Sequence, residues 1–217
     1  MSEQTNDLPA FLIGVTGAFG SGKSTVGKIL NRFSVLVIDT DDIVREMLSS
    51  KNEVSDKVVL KFGNSILSSQ NKEYISKKML ASIIFNDWSK KKELEKIIHP
   101  AVALALSKQI SLNKNKSSII AVLVPLLFEA NMENLFNEIW CVVCDKDIQF
   151  NRLLEKGFSS DDIKARIRSQ LSQEEKSKRA DFIVNNSQSI SETETQVLDR
   201  LKQLVQLNRN LHLSFGK

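Results

Sequence analysis

The sequence predicts an α/β fold built on a five-stranded parallel sheet. Five short runs rich in Val and Ile read as buried strands, at 11–15, 35–38, 119–124, 138–144 and 181–185. Helical patterns lie between them, and apolar strands alternating with helices belong to a parallel sheet covered on both faces. The third observation is a glycine-rich segment, GAFGSGKST (17–25), placed between the first strand and the first helix.

Each element follows from its pattern. FLIGV is the first strand, and a helix over about 24–32 places Val26, Ile29, Leu30 and Phe33 on one apolar face. VLVI is the second strand. About 80 residues then precede the third, far more than a crossover requires. DIVREMLSS and KKELEKIIHPAVALALSKQI mark this region as a mainly helical insertion, and NKNKSS (113–118) is a polar loop before IIAVLV. After EIWCVVC, Asp145 is positioned to cap a helix running to about Glu155, with Gly157 as terminator. Ser159 and Asp162 form a capping-box variant for a helix over about 160–172. Ile163, Ile167 and Leu171 line one face of it, and Arg166 and Gln170 share another. DFIVN is the fifth strand. A final amphipathic helix over about 190–207 carries Val197, Leu198, Leu201, Leu204 and Val205. Residues 1–9 are expected to be loose.

The chain has 217 residues, with 41% hydrophobic and 26% charged, the composition of a globular protein with a real core. Its net charge of +4 suits a polyanionic small molecule as well as nucleic acid. No run approaches the roughly 18 apolar residues of a membrane span, and MSEQTNDLPA lacks the pattern of a signal peptide. A cytoplasmic protein is expected, without membrane or nucleic-acid partner and monomeric. Cys141 and Cys144 form C-x-x-C inside a buried strand, where residues three apart point to opposite faces. The pair therefore reads as packing rather than as a redox or metal site.

Gly17-Ala18-Phe19-Gly20-Ser21-Gly22-Lys23-Ser24 matches G-x-x-x-x-G-K-[ST], the P-loop. Glycines let backbone N–H groups converge on phosphate oxygens, and the helix that follows adds its N-terminal dipole. Lys23 can reach the β- and γ-phosphates of ATP, the Ser24 hydroxyl can ligate Mg²⁺, and Thr25 can add a phosphate contact.

Three classes share this loop: switch GTPases, ATPase motors and small-molecule kinases. No glycine has Asp three residues upstream, and no Asn-Lys is followed by Asp in the guanine-reading spacing. A motor wants a carboxylate after an apolar strand, and Asp39 and Asp145 both qualify. A kinase uses more of the chain. Asp39 ends the second strand, where ligands sit in open α/β sheets, and can accept a proton from an acceptor hydroxyl. A helix cap or an outer magnesium contact is the other use of that carboxylate. The segment from Arg152 to Arg179 holds Arg152, Lys156, Lys164, Arg166, Arg168, Lys176, Lys178 and Arg179. It can close over phosphates and exclude water, or remain a solvated basic face. Another P-loop ATPase, or a module that only binds nucleotide or nucleic acid, is the alternative. One Tyr and two Trp leave little aromatic surface for stacking bases.

IGVTGAFGSGKSTV, VIDTDDIVR (37–45), His99-Pro100 after LEKII, VPLLFE (124–129) and QFNRLLEKGFSSDDIKARIRSQ follow one another along the chain. Taken together, from about Leu12 to Asn186, these motifs resemble the dephospho-CoA kinase family. Lys176, Ala180, Asp181 and Asn186, or the adjacent Asn185, complete a K-x-x-x-A-D-x-x-x-x-N pattern. The P-loop is common to many families, whereas the ordered set of D-x-D, H-P and P-L-L-F-E is specific. The resemblance implies a P-loop kinase fold with a CoA-binding helical insertion and a helical lid. The implied segments are 1–44 (core with P-loop), 45–117 (insertion), 118–145 (core), 146–180 (lid) and 181–217 (last strand and helix). It implies transfer of the ATP γ-phosphoryl to the ribose 3′-hydroxyl of dephospho-CoA, with Mg²⁺. Asp39 maps onto the family's base. Asp41, Arg45 and His99 map onto acceptor-side residues, and Leu126, Leu127, Phe128 and Glu129 onto a pocket wall. Arg152 and Arg166 map onto lid arginines.

Three positions depart from the family. Lys156 and Lys77 stand where arginine is usual; they keep the charge and lose the planar fork. Phe19 replaces an aliphatic loop residue, with little consequence expected where backbone does the binding. His99, taken alone, reads as a helix-end residue; the resemblance gives it a ligand-side role.

Overall fold

The computed structural model describes residues 10–69, 74–85, 87–114, 117–208 and 211. The expectation for residues 1–9, and part of that for the loop at 113–118, lies outside them. The chain divides into two compact units, 1–39 with 112–217, and 40–111.

The first unit holds the sheet. Its strands are β1 (Phe11–Gly17), β2 (Leu36–Asp39), β3 (Ile119–Leu123), β4 (Glu138–Val143) and β5 (Phe182–Asn185). All pair in parallel, in the order β2-β3-β1-β4-β5. The strands begin and end within about two residues of the apolar runs, because continuous Val/Ile segments are stable only when both faces are covered. One face takes Ile13, Val15, Ile119, Ala121, Trp140 and Val142, buried with residues of α1 (Lys23–Arg32) and the last helix, α9 (Ile190–Leu207). The opposite residues of the same strands, Ile120, Val122, Ile139 and Cys141, are buried as well.

The segment 146–180 departs from expectation in its helices. One helix, α6 (Lys146–Glu155), begins after Asp145, but the Asp145 side chain makes no capping bond. Instead the Asp145 N–H donates to Ser187 Oγ at 2.9 Å. Gly157 ends this segment at φ 85°, as its sequence position indicates. The next helix, α7 (Ser160–Arg168), is capped by Ser159 accepting from the Asp162 N–H, yet stops at Arg168 rather than about 172. The chain breaks because Ser172 caps a separate helix, α8 (Gln173–Arg179), in a full capping box with Glu175. The Leu171 N–H is drawn to Glu129 Oε1 at 2.9 Å, so it cannot continue a helix. Ser189 and Glu192 form a second full box at the start of α9.

At the foot of β4 the Glu138 carboxylate is buried and accepts from Trp140 Nε1 at 2.5 Å and from Arg200 Nε and Nη2 at 2.9 and 2.8 Å. Arg200 also lies over the Phe182 ring. The two-pronged pair joins α9 to the sheet. Arg200→Ala strands the buried carboxylate and is expected to cost about 3 kcal/mol, measured by urea denaturation. A midpoint equal to that of the native chain would show that water takes over the carboxylate.

The second unit is helical among its described residues: α2 (Thr40–Ser49), α3 (Glu53–Phe62), α4 (Lys77–Phe85) and most of α5 (Trp88–Asn113). Asn52 caps α3 in a capping box with Ser55. Ile43, Leu48, Val58, Ile66, Leu80, Leu94 and Ile98 are buried in this unit. No helix among the described residues is long and apolar enough to cross a membrane.

Candidate active site

Because β1 is central, its connection runs outward to β2 while that of β3 crosses back over β1 to β4. The loops diverge above the β1/β3 seam, the place where open parallel sheets hold ligands. The P-loop leaves β1 there. Gly17, Gly20 and Gly22 have φ of 150°, 81° and 103°. A Cβ on Gly17 would collide with Val142 O and Ser21 Oγ, and one on Gly22 with the Asn186 amide. Gly22 occupies the N-cap of α1 without a side-chain cap, and the first turn carries no acidic residue. An uncapped N-terminus of this kind is suited to an anion. Ser21 Oγ is buried with no hydrogen-bond partner among the described residues. Lys23 Nζ folds back onto Gly17 O and Ala18 O at 2.9 and 3.1 Å, spanning the loop's opening turn. Ser24 is exposed and Thr25 half-buried. These residues fit a polyphosphate with its divalent ion.

Asp39 ends β2. It and Val15 both register with Leu123, so Asp39 stands level with β1 just before the loop begins. Two strand spacings, about 10 Å, separate its backbone from β1. The exit of β3 is pinned beside the loop: Val124 N–H donates to Val15 O at 2.9 Å, and Thr16 Oγ1 donates to Pro125 O at 3.3 Å. Lys176, fully buried on α8, donates to Pro125 O at 2.7 Å and pairs with Glu129 at 2.9 Å. Leu127 and Phe128 are buried and Leu126 is half-buried, with Arg179 stacked over Phe128. The segment 126–129 thus forms a braced wall beside the loop, and the Glu129 carboxylate is engaged by Lys176 and the Leu171 N–H.

Side chains of the 146–180 segment reach the loop. Gln170 Oε1 accepts from the Phe19 N–H at 3.2 Å, and Gln149 Nε2 donates to Phe19 O. Arg166 lies over the Phe19 ring, while Arg152 Nη1 donates to Asn186 O at 2.8 Å and to Cys144 Sγ at 3.5 Å. Arg166 and Gln170 were expected to share a helical face; Gln170 is outside α7, and the two meet at Phe19 instead. Asn186, rather than Asn185, is buried against the loop, with Nδ2 donating to Ser21 O at 2.9 Å and Oδ1 accepting from Thr193 Oγ1 at 3.1 Å. Burial raises the thiol pKa of both Cys141 and Cys144, keeping them as unreactive neutral thiols.

In the second unit, Asp41 lies in the first turn of α2, and Arg45 on the same helix pairs with Asp42. His99 is exposed in the middle of α5, followed by Pro100 inside the helix, so it is not a helix-end residue. Lys77 opens α4 and is exposed, as is Lys156 beyond α6.

Sequence reasoning gave no individual role to Gln149 or Phe158, whose contacts with Phe19 join distant segments and leave no local pattern, or to Thr193, which holds the nearby Asn186. Gly22→Ala tests the Asn186 contact. The left-handed backbone alone costs about 1–2 kcal/mol, and displacement of Asn186 should reduce the rise in melting temperature on adding Mg·ADP. An unchanged rise would mean that the loop tolerates the loss of this brace.

A parallel sheet with a P-loop on its central strand and a carboxylate at the end of the strand two places away defines the P-loop kinase class. A sequence profile described as dephospho-CoA kinase matches residues 11–192. A dephospho-CoA kinase of Carboxydothermus hydrogenoformans is 39% identical over 193 residues, covering 88% of this chain and 93% of the relative. The Thermus thermophilus protein TT1252 superposes with a TM-score of 0.80 at 26% identity, covering 91% of this chain and 99% of that one. Dephospho-CoA kinase from Campylobacter jejuni gives 0.59 at 27% identity, covering 89% and 96%. The chain belongs to the dephospho-CoA kinase family.

Proposed function

We propose that the protein transfers the γ-phosphoryl of ATP to the ribose 3′-hydroxyl of dephospho-CoA, giving coenzyme A and ADP. The observation that carries this is the uncapped P-loop, level with Asp39, in a chain of this family. Loop amides and the α1 N-terminus bind the phosphates, and Lys23 moves from its own carbonyls to the β/γ-phosphate oxygens. Mg²⁺, when bound, neutralises charge on the transferring group, and Ser24 is the residue that would hold it. Asp39 accepts the proton of the acceptor hydroxyl as the new O–P bond forms. Arg152 and Arg166 neutralise charge from the lid. The family resemblance assigns Asp41, Arg45 and His99 to the acceptor, and Leu126, Leu127, Phe128 and Glu129 to the wall beside it. Residues 45–117 serve as the acceptor-binding insertion and 146–180 as the lid. The same reading describes a monomeric cytoplasmic enzyme.

The test is a mass-spectrometric assay of the purified protein with Mg·ATP, with and without dephospho-CoA. Coenzyme A formed in step with ADP supports the reading. Loss of ATP without that product would sink it in favour of an ATPase.

A further inference from the structure

The P-loop carries one side chain that backbone phosphate binding does not explain. Phe19 meets Phe158, in the turn between α6 and α7, edge to face, with ring centroids 5.2 Å apart and planes at 87°. The Arg166 guanidinium lies 5.1 Å from the centroid of each ring. Gln170 and Gln149 hold the Phe19 N–H and carbonyl, so the ring stands on a fixed backbone.

We propose that Phe19 and Phe158 are positioning residues that hold Arg166 at the rim of the P-loop for contact with a phosphate oxygen. The proposal rests on the reading of this loop as a nucleotide phosphate site with Arg166 among its ligands. A long side chain on a helix surface loses rotamer freedom when it binds, and that loss weakens the contact. Two aromatic rings restrict Arg166 beforehand. The rings stand at 87° to each other, so the planar guanidinium can lie flat on at most one of them, and N–H groups along its remaining edge are left for a phosphate. Stacking and phosphate contact are therefore compatible in one orientation. An aliphatic residue at position 19 fills the space but lacks the negative ring face. Phe19, given little weight in the sequence, becomes a determinant of nucleotide affinity through Arg166.

The experiment is titration calorimetry of a non-hydrolysable ATP analogue with Mg²⁺. The variants are Phe19→Leu, Phe19→Tyr, Phe158→Leu, Arg166→Ala and each Leu variant combined with Arg166→Ala. Either Leu substitution should weaken binding by about three- to thirty-fold, while Phe19→Tyr retains it. In the Arg166→Ala background the Leu substitutions should add nothing. Phe158 lies outside the loop, so Phe158→Leu reads the same contact with the P-loop intact. Melting temperatures of the unliganded variants identify any that fail to fold. If Arg166→Ala weakens binding and the Leu variants do not, the positioning role is wrong and the phosphate site stands. Equal losses in the native and Arg166→Ala backgrounds would also overturn it. If Arg166→Ala binds as tightly as the native chain, the assignment of Arg166 to phosphate fails and the positioning role falls with it.

Discussion

Asp39→Asn is expected to lower turnover by about 10²–10⁴-fold while the nucleotide still binds. The substitution keeps size and hydrogen-bonding reach and removes the capacity to accept a proton. Asp39 belongs to β2 through its backbone, paired in register with Leu123, so the strand survives the change. The phosphate loop is carried by β1, with β3 between the two strands. Loss should therefore fall on kcat with dephospho-CoA as acceptor, while calorimetry finds Mg·ATP affinity within a few-fold of the native value. Near-normal turnover would remove Asp39 as the base. Loss of both turnover and nucleotide affinity would assign it instead to holding the loop or its metal.

Lys23→Ala is the second large effect, expected to reduce kcat/KM for ATP by about 10²–10³-fold. Lys23 Nζ now rests on Gly17 O and Ala18 O, two carbonyls at the mouth of the loop. On the proposed function those bonds exchange for phosphate oxygens on binding, which would bring the lysine to the charge that builds up during transfer. Its removal leaves the glycine backbone and the α1 N-terminus in place, and the melting temperature of the unliganded protein should change little. Unaltered kinetics would contradict the P-loop assignment. A collapse of apo stability would place the lysine in the scaffold rather than in the chemistry.

Much of this was legible in advance because the signals are local. A short, β-branched run such as IIAVLV reads as a central strand, and its parallel pairing follows from the helices between runs. The P-loop is a contiguous motif whose glycine conformations are read from residue type. The start of α7 at Ser159 and the end of α6 at Gly157 were equally plain, since caps involve neighbours in sequence. The end of α7 was not. The periodic pattern of Ile163, Ile167 and Leu171 continues past Arg168 and masks the capping box of Ser172 and Glu175, while Glu129, far off in the chain, takes the Leu171 N–H. Asp145 has a capping residue's identity and position, yet its side chain makes no capping bond, and its N–H is held by the hydroxyl of Ser187, far along the chain.

The sequence by itself determined the five strands, the phosphate loop, the carboxylate at the end of β2 and the family to which the chain belongs. Strand periodicity, glycine spacing and motif order are all encoded over short stretches. Only the tertiary structure decided that Asn186 braces Ser21, that buried Lys176 secures the exit of β3, and that Phe19 and Phe158 flank Arg166. The Asn186–Ser21, Lys176–Pro125 and Phe19–Arg166 contacts each join segments distant in the chain. Residue type states what a side chain can bond to, but its partner is set by which strands and helices pack together.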